Sequence, residues 1–134
     1  MQGLPTPLAI VGLGAVGRRL ALRWQQAGAQ VRATSRSPQS RAAAREAGLH
    51  VEDDLETAVA SAPCIVLCVA APALEELAAA LAPGIALRNE HPVCLHTSAS
   101  HGGSPLAALA KLDCPLGFLH PLAPFAPDGP GRWW

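Results

Sequence analysis

Residues 7–17, "PLAIVGLGAVG", constrain the fold more than any other stretch. The run 7–12 is apolar and of strand length. From Gly14 to Ala27 the apolar positions Val16, Leu20, Trp24 and Ala27 then recur at helical spacing until Gly28 stops them. Three glycines, Gly12, Gly14 and Gly17, stand where one element hands over to the other. A strand that turns this tightly into a helix implies a strand–helix–strand unit, and with it a parallel sheet.

The rest of the chain keeps that rhythm. "AQVRATS" (29–35) alternates as a second strand, "PQSRAAAREAG" (38–48) reads as an alanine-rich helix closed by Gly48, and His50–Val51 begin a minimal third strand. A short helix covers 55–62. "CIVLCVA" (64–70) is apolar at every position, as a central parallel strand covered on both faces must be. "ALEELAAAL" (73–81) sets Leu74, Leu77, Ala78 and Leu81 against Glu75 and Glu76, and Pro83–Gly84 are expected to end it. "HPVCLHTS" (91–98) is a fifth strand. "SPLAALAKL" (104–112) is a helix opening on the cap pair Ser104–Pro105, and "PLGFLHPL" (115–122) is a short sixth strand. The expected fold class is α/β, a doubly wound, mostly parallel sheet with helices on both faces. Residues 1–122 are expected to form the domain. Residues 123–134 are expected to form a tail in which prolines fall at every third position, a polyproline II pattern.

A chain of 134 residues that is half apolar and 15% charged can bury a core and is not disordered. No stretch approaches the roughly 18 apolar residues of a membrane span. The start lacks the basic region of a secretory signal, so a cytoplasmic location is expected. Cys64, Cys68, Cys94 and Cys114 lie in or beside apolar segments and are expected to be buried free thiols.

The net charge is zero but segregated. Arg18, Arg19, Arg23, Arg32, Arg36, Arg41 and Arg45 all precede the first carboxylate, Glu46, so the first 45 residues carry +7 and the remainder −7. An anionic partner is therefore expected near the N-terminal half. Nucleic acid fits poorly, because these arginines flank a glycine turn and have only Trp24 as an aromatic neighbour.

A dinucleotide fits better. In a turn of this spacing Gly12 permits the bend, Gly14 lets the backbone approach a pyrophosphate, and Gly17 lets the helix pack closely on the strand. The helix amino end adds unpaired N–H groups and partial positive charge. Gly12, Leu13, Gly14, Ala15, Val16 and Gly17 are thus the expected pyrophosphate cradle. About 20 residues on, where an NAD site has an acid for the ribose 2′-hydroxyl, "ATSRSP" offers Thr34, Ser35, Arg36 and Ser37 and no carboxylate. Arg36 can fork onto a 2′-phosphate and the serines can donate to it, with Arg41 and Arg45 adding field. NADP(H) is expected over NAD(H). Val69, Ala70 and Ala71, closing the strand 64–70, are expected beside the cofactor as well.

"LHTSASHGG" (95–103) and "FLHP" (118–121) end the last two strands, where ligands of such sheets bind. Together they gather His96, Thr97, Ser98, Ser100, His101 and His120. That set can hydrogen-bond a carbonyl or carboxylate and exchange a proton at an alcohol or amine during hydride transfer. Three histidines without a nearby carboxylate match no metal-ligand spacing, so no metal is expected.

"IVGLGAVGRRLA", "TSRSP", "CIVLCVAAP", "HTSAS" and "GFLHPLAPF" together resemble the N-terminal half of Rossmann-like, DUF2520-containing proteins. These belong to the 6-phosphogluconate-dehydrogenase-like group, near pyrroline-5-carboxylate reductases, F420-dependent NADP oxidoreductases and prephenate dehydrogenases. The resemblance spans nearly the whole chain. It implies that Ser98 and His120 fall where prephenate dehydrogenases carry a serine and an "HP" histidine for substrate binding and catalysis. The chain reads "TSAS" where the family has a glycine after the serine. The family also carries a helical C-terminal domain that closes the site and forms a dimer. Nothing after Pro121 reads as that domain, so the chain is expected to be a cofactor-binding fragment or a truncated relative, and a homodimer only where such a domain exists. The expected function is the NADP(H)-binding domain of an oxidoreductase acting on a small carbonyl, imine or hydroxy acid. The alternative is a domain that holds NADP(H) without turnover, as a sensor or remnant.

Overall fold

In the computed structural model, which describes residues 6–98 and 104–119, all strand pairs are parallel. Five short strands, β1 (Leu8–Val11), β2 (Val31–Thr34), β3 (Cys64–Leu67), β4 (Val93–His96) and β5 (Leu116–Phe118), lie in the order β2-β1-β3-β4-β5. The helices between them are α1 (Ala15–Gln26), α2 (Pro38–Glu46), α3 (Leu55–Val59), α4 (Ala71–Ala86) and the single turn α5 (Ala107–Ala110). The minimal third strand contracts to one parallel bridge, Val51 to Ala33, at the outer edge of β2. With that bridge included, the sheet has the 3-2-1-4-5-6 order of the doubly wound fold.

Burial explains the sequence pattern. All four residues of β1 and of β3 are buried. Ala9, Val11, Ile65 and Leu67 face one way, against Leu74, Ala78, Leu81 and Ile85 of α4, and Leu106 and Leu109 add to that layer. Leu8, Ile10, Cys64 and Val66 face the other way, into a second core with Ala21 of α1 and Ala44 of α2. A strand buried on both faces cannot alternate, hence the unbroken "CIVL".

The strands are shorter than the sequence reading has them, and three helices depart from it most. The predicted helix 104–112 resolves into a 3₁₀ turn, Ser104–Leu106, followed by α5. The helix predicted over 55–62 ends at Val59, its far carbonyls taken by arginines. Arg32 donates to the Thr57 and Ala60 oxygens, and Arg88 to those of Val59 and Ala62. Arg32 is therefore engaged within the fold rather than with an outside anion. Finally, α4 does not stop before Pro83 but runs through it to Ala86. Ile85 is 1% exposed and continues the stripe of Leu74, Ala78 and Leu81, so its burial offsets the hydrogen bond that Pro83 cannot make.

Candidate active site at the carboxyl ends of the strands

The strand order reverses between β1 and β3, and ligands of doubly wound sheets bind at that point. Gly12, leaving β1, has φ +103°, and a Cβ there would stand 2.4 Å from the Cys68 carbonyl oxygen at the end of β3. A Cβ on Gly17 would stand 1.9 Å from the Gly12 carbonyl oxygen. Both glycines are required for close backbone approach. Gly14 is different: a Cβ there would meet nothing within 4 Å. It is the N-cap of α1, with no side-chain cap and no acid in the first turn. The first N–H groups of the helix, those of Ala15, Val16 and Gly17, thus begin at an exposed, unobstructed surface of partial positive charge. Leu13, by contrast, is 3% exposed and belongs to the second core.

The turn after β2 is built from its own side chains. Ser37 Oγ accepts from Ser40 N at 3.1 Å and so caps α2, and Ser35 Oγ accepts from Ser37 N at 3.2 Å. Arg41 Nη1 donates to the Ser35 and Arg36 carbonyls at 2.7 and 3.3 Å, which fixes the loop and leaves the Arg36 side chain exposed. Thr34 is buried and its hydroxyl donates to the Glu52 carbonyl at 2.8 Å, so this predicted contact is committed to the fold through its side chain.

A cavity of about 480 Å³ opens between this loop, the end of β1 and the flank of α4. The volume lies in the range of small-molecule sites. Gly12, Thr34, Ser35, Arg36 and Val69, all among the residues expected around a cofactor, are brought together in its lining. Ala70 and Ala71 sit at the start of α4, as N-cap and first residue. The sequence reading missed the apolar walls Leu55, Ala73, Leu77 and Ala80, and it missed two carboxylates, Asp53 and Glu76. Asp53 lies two residues beyond the Val51 bridge. Ala73, Glu76 and Ala80 share one stripe of α4 by their i, i+3, i+7 spacing, a signal available in the sequence.

These carboxylates answer the basic segment. Asp53 Oδ1 lies 2.8 Å from Arg45 Nη2 and 3.6 Å from Arg41 Nε. The Arg45 guanidinium, by hydrogen bond and charge, holds the Asp53 carboxyl below the usual carboxylate range. Glu76 Oε1 lies 3.8 Å from Arg36 Nη1.

At the end of β4, His96 is fully buried. Its Nδ1 accepts from Ser98 N at 3.0 Å, which places the ring proton on Nε2, and its ring centroid lies 6.0 Å from that of Phe118. Leu119 N donates to the His96 carbonyl at 2.8 Å. His96 therefore shapes the turn that carries Ser98 rather than facing a ligand. Thr97 is hydrogen-bonded to the Cys68 thiol, which burial pushes up to about 12. Ser98 is partly exposed at the strand end, whereas Ser100, His101 and His120 lie outside the described residues. No group of His, Cys, Asp or Glu among the described residues could hold a metal ion, and no helix among them is long and apolar enough to cross a membrane.

Residues 7–93, which include the glycine turn, the loop after β2 and every residue lining the cavity, match the family model described as NADP oxidoreductase, coenzyme F420-dependent. The chain belongs to that family. No curated relative matches it in sequence. Among solved structures it is similar to 3-hydroxyisobutyrate dehydrogenase of Mycobacterium tuberculosis, at TM-score 0.72 and 17% identity over 87% of this chain and 40% of that one. Prephenate dehydrogenase of Aquifex aeolicus gives 0.70 and 20%, over 87% and 43%. Pyrroline-5-carboxylate reductase of Coxiella burnetii gives 0.65 and 18%, over 81% and 40%. The chain thus spans well under half the length of these neighbours, and at such identities the likeness is one of fold. This NADP oxidoreductase-family domain has the Rossmann-like α/β architecture of the nicotinamide-dependent dehydrogenases.

Proposed function

We propose that the domain holds NADP(H) across the amino end of α1 and serves an oxidoreductase acting on a small carbonyl, imine or hydroxy acid. The observation that carries this reading is Gly14. Its two partner glycines are locked against backbone, yet it faces open space in front of an uncapped helix start. Such a cradle suits a pyrophosphate. The walls Leu55, Val69, Ala73 and Leu77 suit an adenine ring, and Arg36, which lines the same cavity, can offer a forked donor to an adenosine 2′-phosphate. When bound, NADP(H) supplies or takes up hydride. Ser98, and His120 with it, would hydrogen-bond the substrate oxygen or nitrogen and exchange its proton. Both roles are assigned by resemblance.

Isothermal titration of the chain with NADPH and NADH tests the proposal. Both are expected to bind, NADPH the tighter, and no heat from either at millimolar cofactor would overturn the dinucleotide reading. Arg36→Asp is expected to weaken NADPH by about tenfold or more, roughly 1.4 kcal/mol, while changing NADH far less. Equal losses would show that Arg36 does not read the 2′-phosphate.

A further inference from the structure

At the mouth of the cavity Arg36 already has an ionic partner in the protein, Glu76. Arg36 Nη1, from the loop after β2, and Glu76 Oε1, from α4, face each other at 3.8 Å, and both residues line the cavity. Their side chains are 83% and 73% exposed, so neither is held in place by packing. The neighbouring guanidiniums are engaged elsewhere. Arg41 is bound to two loop carbonyls and to Asp53, and Arg45 to Asp53 and the Val51 carbonyl. Arg36 is thus the cavity-lining guanidinium whose counter-ion is exposed, and that counter-ion sits on the opposite wall.

We infer that Glu76 is a specificity-determining residue: it competes with the adenosine 2′-phosphate for Arg36 and so lowers the preference for the phosphorylated dinucleotide. This inference rests on the dinucleotide reading above. One guanidinium cannot present its fork to a carboxylate and a phosphate in the same direction at once. A dianionic phosphate wins that contest, because an exposed ion pair at this distance is weak, but the displaced carboxylate stays within a few ångströms and repels it. An unphosphorylated dinucleotide displaces nothing and leaves the Arg36–Glu76 pair closed over its ribose. Asp53 also lines the cavity, but its ion pairs are with Arg41 and Arg45 and not with Arg36.

The test is titration of the wild type and of Glu76→Gln with NADPH and NADH, repeated with adenosine 2′,5′-bisphosphate and 5′-AMP, which differ by the 2′-phosphate alone. Glu76→Gln removes the charge at an exposed position and is expected to leave the melting temperature unchanged. It is expected to tighten NADPH and the bisphosphate about threefold, within the range of single exposed charge interactions, and NADH and AMP by less than about 1.5-fold. In the Arg36→Ala background the gain is expected to shrink by more than half. Salt at about 0.5 M is expected to suppress it through screening. A NADPH-to-NADH ratio unchanged by Glu76→Gln, or a gain retained in full without Arg36, would overturn the inference while leaving the dinucleotide reading in place. A wild type that binds neither dinucleotide would overturn that reading and this inference with it.

Discussion

A methyl group added to Gly17 would sit 1.9 Å from a backbone oxygen, whereas one added to Gly14 would touch nothing. One sequence motif therefore contains positions under opposite constraints, and two substitutions separate them. Gly17→Ala must push α1 off β1 and is expected to cost more than about 2 kcal/mol, read as a lower midpoint in urea unfolding. Gly14→Val is expected to cost at most about 1 kcal/mol, since its φ of −74° suits any residue and only cap preference is lost. It should nonetheless weaken NADPH by about tenfold or more, because the side chain enters the space before the helix. Retained affinity in Gly14→Val would contradict the cradle. His96 makes a similar point at the other strand end. The sequence reading grouped it with ligand-facing hydroxyls and imidazoles, yet the period of two along β4 sets it beside buried Cys94. Asn at this position keeps an acceptor near that of Nδ1. Leu fills the space but strands the Ser98 N–H, so His96→Leu is expected to lose about 1–3 kcal/mol more than His96→Asn in the same unfolding experiment.

At the scale of elements, strands and helices were legible wherever burial imposes a period, and misread where a local breaker competes with burial. "CIVL" could be nothing but a doubly covered strand, and the handover from β1 to α1 was visible in the glycines. Pro83–Gly84 looked like a stop because proline removes one helical hydrogen bond. That loss is local, whereas the gain from seating Ile85 under the sheet depends on tertiary contacts that the sequence does not display. Ile85→Ala measures which effect wins. If α4 continues through Pro83, the substitution opens a cavity in the core and costs about 2–5 kcal/mol. If the helix ended at Leu81, Ile85 would lie in a surface turn and the change would fall within about 0.5 kcal/mol. Guanidinium unfolding of the two proteins distinguishes the cases. The third strand was legible as a hint only, since a single bridge at an edge leaves no pattern longer than His50–Val51.

For the molecule as a whole, the sequence showed the layers but not the distances they close. Asp53 and Glu76 stand 17 and 40 residues from Arg36, so an acid-free loop in sequence became a cavity of mixed charge in space. The same folding buries the thiols of Cys64, Cys94 and Cys114 and half-buries that of Cys68, and this gives the whole molecule a distinctive alkaline response. Burial pushes the Cys94 and Cys68 thiols up to about 12 from an ordinary value near 9, and raises Cys64 and Cys114 as well. A thiol whose value is raised on folding lends its full stability below about pH 9, where the unfolded chain is also protonated. That stability drains away as pH rises towards 12, because the unfolded chain ionises first. The chain has no tyrosine and a single lysine, Lys111, so few other groups titrate in that window. Unfolding free energy is therefore expected to fall from pH 9 upwards, with Cys94 contributing up to about 1.4 kcal/mol per pH unit. Cys94→Ala is expected to lose about 1 kcal/mol at pH 7 from the space it leaves, yet to decline less steeply above pH 9, so that the two stability curves converge. Parallel curves would mean that the Cys94 thiol meets solvent in the native sheet, which the packing of β4 against β3 and β5 forbids.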